Sequence, residues 1–322
     1  MWKFFCGSCV LLISSMADAA LTALSDEQLS NQTGQAFLQI DRDAAGSFDF
    51  TRFTFGMDVD VSLNADLVEL GNYVRDGEPG ADIRINDFAL GSVNGDGTLN
   101  PFNIQDPYFE LAFETIDGKE ELVGVRLGFT EALGKLSGNI ESLTGNIEVD
   151  VVGTADPIYE QANFGQRLLL GIAGVDRDTV LRSNAVLVDE DGNPQQVRAE
   201  WVGIPNGTTL NCESGCNLGG LSDGLLGLFG SDGCQILGID TCFPLNTFRT
   251  LDIGDTDNGQ STQGMFLSFQ TKQVAWLNGG EGTPATAGAF MNIPNGGISV
   301  DFEESFNGIQ RIRTKFLDPY YD

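Results

Sequence analysis

The sequence predicts an all-β protein: an elongated, mainly antiparallel sheet or sandwich with a short N-terminal helix and a disulfide-framed loop. Apolar residues occupy every second position over several long stretches, which is typical of strands with one buried face. Dipeptides of Asp or Asn followed by Gly separate those stretches and are strong local signals for β-hairpins. Four cysteines between residues 212 and 242 indicate the framed loop.

Residues 1–19 have the pattern of a cleavable signal peptide. Lys3 precedes an apolar core, and small residues before Ala20 predict cleavage between Ala19 and Ala20. Residues 20–322 are then expected to form a single elongated β-rich domain, with a subdivision near residues 155–165. The signal core is shorter than the ~20 residues that a transmembrane helix needs, and no later segment reaches that length. The chain is therefore predicted to be exported without a transmembrane helix.

A short helix is predicted at the start of the mature chain. Ser25 and Gln28 form a capping box, Leu24 and Leu29 are placed as a hydrophobic staple, and Gly34 marks the end of the helix. Two turns of helix are not stable alone in water, so we expect this helix to dock. It is expected to cover an open end or edge of the sheet, and the alternative is recognition of a partner.

The longest alternation runs from Phe53 to Leu67, where every odd position is apolar and every even position is Thr, Gly, Asp, Ser or Asn. It predicts one long strand with a buried face and a solvated, acidic face. Phe48 and Phe50 lie on the opposite parity, which predicts a β-bulge near residues 51–52. The apolar row must be covered, either by a second sheet or in part by a ligand.

Further alternating runs supply strands for a second sheet. They lie at residues 109–113, 123–129, 147–151 and 265–269. The predicted hairpin dipeptides are Asp117–Gly118, Asp191–Gly192, Asn206–Gly207, Asn258–Gly259, Asn295–Gly296 and Asn307–Gly308.

The four cysteines of the mature chain are Cys212, Cys216, Cys234 and Cys242. In an oxidising compartment they predict two disulfides, with three connectivities open. Local pairing, Cys212 with Cys216 and Cys234 with Cys242, is preferred because each pair bounds a short turn-like segment. A zinc site is the alternative. The apolar, glycine-rich residues 217–230 between them are interpreted as core cover, with a contact surface as the alternative.

Composition excludes several functions. The chain carries a net charge of −29 from 46 acidic and 17 basic residues, so nucleic acid and anionic lipid are not expected partners. It contains no histidine, which excludes His-dependent nucleophilic catalysis and His-ligated zinc. A glycosidase using two carboxylates remains an alternative, but no motif selects such a pair. The prediction is a non-enzyme with no catalytic residues and no cofactor.

Three acidic loops raise the question of calcium. Residues 189–200 place Asp189, Asp191, Asn193 and Glu200 at EF-hand-like positions, but Pro194 stands where that loop needs Gly. Because the flanking residues alternate as strands do, a hairpin turn is the preferred interpretation. Residues 94–100 and 252–260 are similarly ambiguous. No metal site is predicted, and weak calcium binding is the alternative.

The segment "LSDEQLSNQTGQA", Leu24 to Ala36, resembles the N-terminal signature of a group of exported, β-rich proteins of Gram-negative proteobacteria. Most members have no known function, and some are labelled putative pilus-system proteins. The resemblance implies a cell-surface or periplasmic role in surface structures or attachment. It carries over no functional residues.

The predicted function is that of an exported protein at the cell surface, outside the cell or at the outer membrane, with the periplasm as the alternative location. We expect it to act in surface assembly, adhesion or biofilm formation, with other surface or outer-membrane proteins or further copies of itself as partners. One alternative is a carrier or outer-membrane-associated protein that binds lipid or hydrocarbon. Another is an outer-membrane β-barrel, although Tyr and Trp are too few for two aromatic girdles.

Overall fold

The computed structural model describes residues 37–216, 230–278 and 281–299, all within one compact unit, Phe37–Asp322. The predicted fold class is confirmed, since strands dominate and pair mainly antiparallel. The strands are β1 (Leu38–Ala45), β2 (Phe48–Phe55), β3 (Asp58–Val61), β4 (Leu63–Arg75), β5 (Glu78–Leu90), β6 (Ser92–Val93), β7 (Leu99–Asn100), β8 (Phe102–Ile116), β9 (Lys119–Leu143), β10 (Gly145–Thr154), β11 (Val180–Val188), β12 (Trp201–Gly203), β13 (Asn211–Ser214), β14 (Gln235–Ile236), β15 (Ile239–Asp240), β16 (Cys242–Pro244), β17 (Thr250–Ile253), β18 (Thr262–Gln263), β19 (Phe266–Gln270), β20 (Val274–Asn278), β21 (Glu281–Ala285), β22 (Gly288–Ile293) and β23 (Ile298–Ser299). Helices α1 (Asp156–Gln161) and α2 (Phe164–Ile172) and a 3₁₀ turn (Leu245–Thr247) complete the described elements.

Two sheets share the long strand β9. In sheet A the neighbours are β1, β2, β8, the first part of β9, β19, β22 and β10, with β22 and β10 parallel and the others antiparallel. In sheet B the neighbours are β4, β5, the second part of β9, β17 and β23. Strand β9 therefore leaves one sheet and enters the other.

Gly134 lies where β9 changes sheets. Its φ is +143°, and a Cβ there would lie 2.9 Å from the Cα of Phe102. Only glycine combines that backbone angle with so close an approach of another strand. The bend folds sheet B over part of sheet A, so the two sheets pack face to face.

The main core lies between the two sheets. Its buried side chains come from both, including Ile104 and Ile293 of sheet A and Ile83, Ile140 and Ile253 of sheet B. Side chains of these strands alternate between the core and the other side of the sheet, but none of the five lies in a predicted alternating run.

A second core forms where helix α2 packs against β11 and the residues after β12. Strand β10 continues from sheet A into pairing with β11, which also pairs with β12 and β13. Leu170 of α2, Leu181 and Ile204 pack there in a cluster separate from the main core. The helices begin at the position where the sequence suggests a subdivision, but the division into domains itself stays a prediction.

The expected single strand from Phe53 to Leu67 is wrong. The chain forms three strands there, β2, β3 and β4, interrupted near Gly56 and Ser62. The predicted bulge near residues 51–52 is also absent, because β2 pairs in unbroken register with both β1 and β8. Both faces of β2 carry aromatic side chains, so the change of parity needs no extra residue.

The apolar row of that segment is covered only in part. Val59 and Val61 pack against the main core, whereas Met57, Leu63 and Leu67 are exposed. Cover by a second sheet, one of the two expectations for this row, is therefore only partial, because sheet B reaches sheet A near β3, the start of β8 and the middle of β9.

Five of the predicted hairpin dipeptides lie in turns, and Asn307–Gly308 lies outside the described residues. Asp117 and Gly118 join β8 to β9 with φ values of +52° and +79°, as a type I′ turn requires. Asp76 and Gly77 join β4 to β5 in the same way, with φ values of +52° and +91°. This Asp–Gly turn is absent from the predicted set, although its sequence signal is the same.

Candidate functional site

An apolar surface is left open on one side of sheet A. Directly opposite residues of antiparallel strands project to the same side, and one row runs from Ile40 through Phe53 and Phe109 to Leu127. Ile40 is 55% exposed and Leu127 46% exposed. We call this surface the open face; its side chains are Leu38, Ile40, Phe53, Phe55, Phe109, Leu111, Phe113, Leu122 and Leu127.

Aromatic rings form the centre of the open face. The rings of Phe53 and Phe109 stack with centroids 4.6 Å apart, and the rings of Phe55 and Phe109 lie 6.2 Å apart. Leu122, at the hairpin end, is 52% exposed. Contiguous exposed apolar surface of this kind is uncommon on soluble proteins and marks interaction sites.

The same rows are covered at their other end. Leu127 lies opposite Leu267, and Leu267 lies opposite Met291. Leu267, Met291 and Phe269 pack against the main core beneath sheet B. The open face is thus the part of sheet A's apolar side that sheet B does not reach.

A groove runs along the boundary between the covered and the open parts. It has a volume of about 350 Å³, and Tyr73 of β4 lies on one side while Leu122, Val125 and Phe269 lie on the other. A second groove of about 670 Å³ lies beside Arg42 and Thr51 at the edge of the open face. Both grooves are open to solvent, in contrast to the enclosed pockets that small ligands prefer.

The opposite side of the same strands is buried, and we call it the covered face. The hairpin of β20 and β21 places Trp276 and Val274 against Phe50, Phe266 and Phe290. Trp276 is fully buried, and a Cβ on Gly124 would lie 2.9 Å from its ring. Glycine on β9 therefore makes room for the hairpin to close over this face.

A charged network lies within the covered face. Glu110 is bound by two arginines, Arg52 at 3.2 Å and the fully buried Arg126. Arg126 also donates to the carbonyl oxygen of Leu277 at 2.8 Å, and its guanidinium carbon lies 5.0 Å from the ring of Phe266.

Burial lowers the pKa of Arg126 and raises that of the neighbouring Tyr108. The Nε and Nη1 atoms of Arg126 have no hydrogen-bond partner among the described residues. Aromatic rings surround the guanidinium, and cation–π attraction offsets part of that loss.

A second network of the same composition anchors the hairpin of β4 and β5. The fully buried Asp82 lies 3.2 Å from Arg75 and 3.3 Å from Arg198, and it accepts a hydrogen bond from the Ala289 backbone at 2.9 Å. The guanidinium of Arg198 also lies over the ring of Tyr73, 5.3 Å from its centroid. This network fixes Tyr73, and with it one wall of the smaller groove.

The acidic loops use their carboxylates to stabilise their own turns. Asp189 accepts hydrogen bonds from the backbone amides of Asp191 at 3.0 Å and Asn193 at 2.8 Å. The Asn193 side chain donates to it as well, and these bonds lower the pKa of Asp189. The interpretation of this segment as a hairpin turn is confirmed, since Val188 and Pro194 form a bridge across it.

The other two loops follow the same pattern. Asp96 accepts from Thr98, and Asp255 accepts from Asn258; in each case the bonds lower the pKa of the carboxyl. Over residues 37–216, 230–278 and 281–299, no three His, Cys, Asp or Glu side chains are grouped to hold a metal ion.

The cysteines lie in two local disulfides. Cys212 pairs with Cys216 at a Cα–Cα distance of 6.4 Å, and Cys234 pairs with Cys242 at 5.1 Å. Cys212 and Cys216 pack against the second core. Of residues 217–230, all but Gly230 lie outside the described residues.

Helices α1 and α2 were not predicted. The signal for α2 is in the sequence, because Asn163 and Gln166 form a capping box with backbone bonds of 2.8 and 3.0 Å. Leu170 is buried, whereas Phe164 is 85% exposed.

Other predictions at the N-terminus are not addressed by the structure. The cleavage site at Ala19 and Ala20 and the helix with its Leu29 contact lie outside the described residues. In the part of the chain that the structure describes, no helix is both long and apolar enough to cross a membrane.

Comparison with known proteins gives one match. Residues 1–100 match the model of a family of unknown function, DUF6160; within the described residues this stretch comprises β1 to β7. No curated protein matches the chain. No solved structure matches it either.

Proposed function

We propose that this chain is an exported, non-enzymatic protein of the cell surface or periplasm that acts in surface assembly, adhesion or biofilm formation. The observation that carries this proposal is the open face, where Ile40, Leu122 and Leu127 are exposed while the hairpin of β20 and β21 covers part of the opposite side. Such a surface is suited to a partner that covers it.

The shape of the open face favours a protein partner over a small ligand. Specific ligand sites enclose most of the ligand, whereas the grooves at Tyr73 and Arg42 are open along the sheet. The stacked rings of Phe53 and Phe109 are of the type enriched in protein interfaces.

The burial and the ion pairs of two carboxylates support a non-enzymatic role. Asp82 and Glu110, 0% and 2% exposed, are each held between two arginines. Both carboxylates are buried, so neither is accessible to a substrate in this conformation. The chain also contains no histidine, the side chain used most often for proton transfer in catalysis.

The similarity at the N-terminus gives independent support. The segment Leu24 to Ala36, which resembles exported proteobacterial proteins with pilus-related labels, lies within the residues that match the family of unknown function. Export also agrees with the two disulfides, which persist in oxidising compartments.

The proposal is tested by replacing two open-face residues, Ile40→Asp with Leu127→Asp. Leu99→Asp is the control, because Leu99 is as exposed as Ile40, at 55%, but lies on β7 outside the open face. Cells producing each variant are fractionated, and their attachment to a surface is measured. We expect the double variant to reach the same compartment but lose attachment, with its Tm unchanged. Attachment equal to that of the control would contradict the proposal.

A second candidate function is a carrier of an apolar molecule, favoured by the groove between Tyr73, Leu122, Val125 and Phe269. Its volume of about 350 Å³ is at the lower end of the range for ligand sites. A saturable rise in Tm on adding palmitate would support the carrier, because a ligand that prefers the folded state stabilises it. Replacement of Val125 by Asp should remove that rise.

A further inference from the structure

A row of charged side chains crosses sheet A on the side of the covered face. Asp41 of β1 lies opposite Arg52 of β2. Arg52 lies opposite Glu110 of β8, and Glu110 lies opposite Arg126 of β9. Directly opposite residues project to the same side, so the charges alternate in sign along this row. The next residue in the row is Ser268 of β19, which places a hydroxyl group where the alternation would continue with a negative charge.

The buried guanidinium of Arg126 has N–H groups that the described residues leave unused. Its Nη2 atom bonds the carboxylate of Glu110 and the carbonyl oxygen of Leu277. Its Nε and Nη1 atoms are also donors but have no hydrogen-bond partner among those residues. Because Arg126 is 0% exposed, bulk water does not reach these atoms. Unpaired buried donors cost free energy, so a bound group that accepts from them stabilises the fold.

Ser268 has the same property. It is 0% exposed, and its Oγ atom has no hydrogen-bond partner in the part of the chain that the structure describes. The Cβ atoms of directly opposite residues lie about 4.5–5.5 Å apart. The hydroxyl group of Ser268 is therefore within reach of a small group bound at Arg126, and two unpaired buried side chains mark the same place.

The residues that flank Arg126 on β9 limit this place to the side of β19. Both are glycines, and aromatic rings fill the space above them. A Cβ on Gly124 would lie 2.9 Å from the ring of Trp276, and a Cβ on Gly128 would lie 2.4 Å from the ring of Tyr108. A group bound at Arg126 therefore lies toward Ser268 and not above the glycines of β9.

The hydrogen-bonding groups around this place favour an anion over a water molecule. Gln270, the next polar side chain of β19, already donates to the carbonyl oxygen of Gly288 at 3.1 Å and accepts from Trp276 at 3.3 Å. A water molecule would bring two hydrogen atoms of its own, each of which needs an acceptor. An anion accepts from the free N–H groups of Arg126 and the hydroxyl group of Ser268 and needs no acceptor.

The balance of charge also favours an anion. Glu110, which is 2% exposed, is shared by Arg126 and Arg52, so one carboxylate serves two guanidinium groups. Buried charges need a partner of opposite sign. The rings of Phe266 and Trp276 have their centroids 5.0 and 5.1 Å from the guanidinium carbon of Arg126, which restricts the site to a monatomic ion. The edges of such rings carry partial positive charge and attract an anion.

We propose that a chloride ion binds within the covered face, where it accepts hydrogen bonds from the guanidinium of Arg126 and the hydroxyl group of Ser268. The ion supplies the negative charge that continues the alternation along the row. The hairpin of β20 and β21 closes over it, so the ion is held in the folded chain and released on unfolding. The site is separate from the open face and does not depend on the proposed function.

The test measures the Tm of the purified mature chain as sodium chloride replaces sodium gluconate at constant ionic strength. We expect a saturable rise in Tm, because an ion that binds only the folded chain stabilises it. Ser268→Ala should raise the chloride concentration for half-saturation about tenfold, since a hydrogen bond to a charged group is lost. Ser183→Ala is the control. Ser183 is 2% exposed and its Oγ atom is also unpaired among the described residues, but it lies opposite Val151 and not opposite an arginine.

Crystals grown in sodium bromide give a readout that needs no variant. Bromide should replace chloride and give an anomalous peak within hydrogen-bonding distance of Ser268 Oγ and of the Nε or Nη1 atom of Arg126. A Tm that is independent of chloride would overturn the inference. An equal chloride response in Ser268→Ala and Ser183→Ala would overturn it as well, and so would a water molecule found at this position in the bromide crystals.

Discussion

The two faces of sheet A are buried to different extents, and the burial is the opposite of what their sequence patterns predict: the apolar face is partly exposed and the polar face is buried. On β9, the apolar alternation of Val125 and Leu127 lies on the partly exposed side, whereas Gly124 and Arg126 of the polar alternation are buried. A distant hairpin explains the reversal, since its Trp276 packs against Gly124 and against the guanidinium of Arg126. Alternation therefore shows which residues share a face, but the rest of the chain determines which face is buried.

The largest effect is expected from removing the cover. Trp276→Ala should lower the free energy of unfolding by about 3–5 kcal/mol, because it empties a fully buried site. The matched change on the open face, Leu127→Ala, should cost less than about 1 kcal/mol. Denaturant unfolding of both variants provides the comparison, and similar losses would show that the two faces are equally covered.

Glu110→Gln tests the charge on the covered face. It leaves the buried guanidinium of Arg126 without its carboxylate, at an expected cost of about 3 kcal/mol. Glu120→Gln is the control, since Glu120 is exposed beside the open face and should change stability by less than about 0.5 kcal/mol. A Glu110 variant as stable as this control would mean that water reaches Arg126.

Two glycines sharpen the comparison further. Gly124→Ala places a methyl group 2.9 Å from Trp276, and the overpacking should cost about 1–3 kcal/mol. Gly153→Ala in β10 meets no atom within 4 Å and should stabilise the strand by about 0.5 kcal/mol. Chemical unfolding of the two variants should give shifts of opposite sign.

The sequence predicts the class of fold well and the site only in part. The strand-rich fold and five of the turns follow from local alternation and Asp–Gly or Asn–Gly dipeptides, which act over a few residues. The division of residues 53–67 into three strands does not, because it depends on how β8 and β9 pair with each piece.

The open face was not predicted because nothing local distinguishes Ile40 or Leu127 from a core residue. Its exposure depends on how far sheet B extends, and that depends on the bend at Gly134. The buried ion pair of Glu110 and Arg126 was not predictable from local sequence either. Both residues occupy positions that the alternation predicts to be exposed to solvent. In contrast, α2 had a local signal in its capping box that strand patterns obscured.

The smallest effect concerns the acidic turns. Hydrogen bonds, first from the Asn193 side chain, lower the pKa of Asp189 in the folded chain. Its contribution to stability is therefore present above the unfolded pKa of about 3.9 and is lost as pH falls through the folded value. The Tm difference between wild type and Asp189→Asn should be larger at about pH 6 than at about pH 2.5. Asp191→Asn, whose carboxylate is outside those bonds, is the control, and an equal pH response in both variants would contradict the assignment.

The reversal of the two faces is tested most directly by carbene footprinting of dilute purified protein, with labelled residues located by mass spectrometry. The structure predicts strong labelling of Ile40, Leu122 and Leu127, and protection of Phe50 and Trp276 until the chain is unfolded. Protection of both sets in the native monomer would show that the open face is covered within a single copy and would contradict the account.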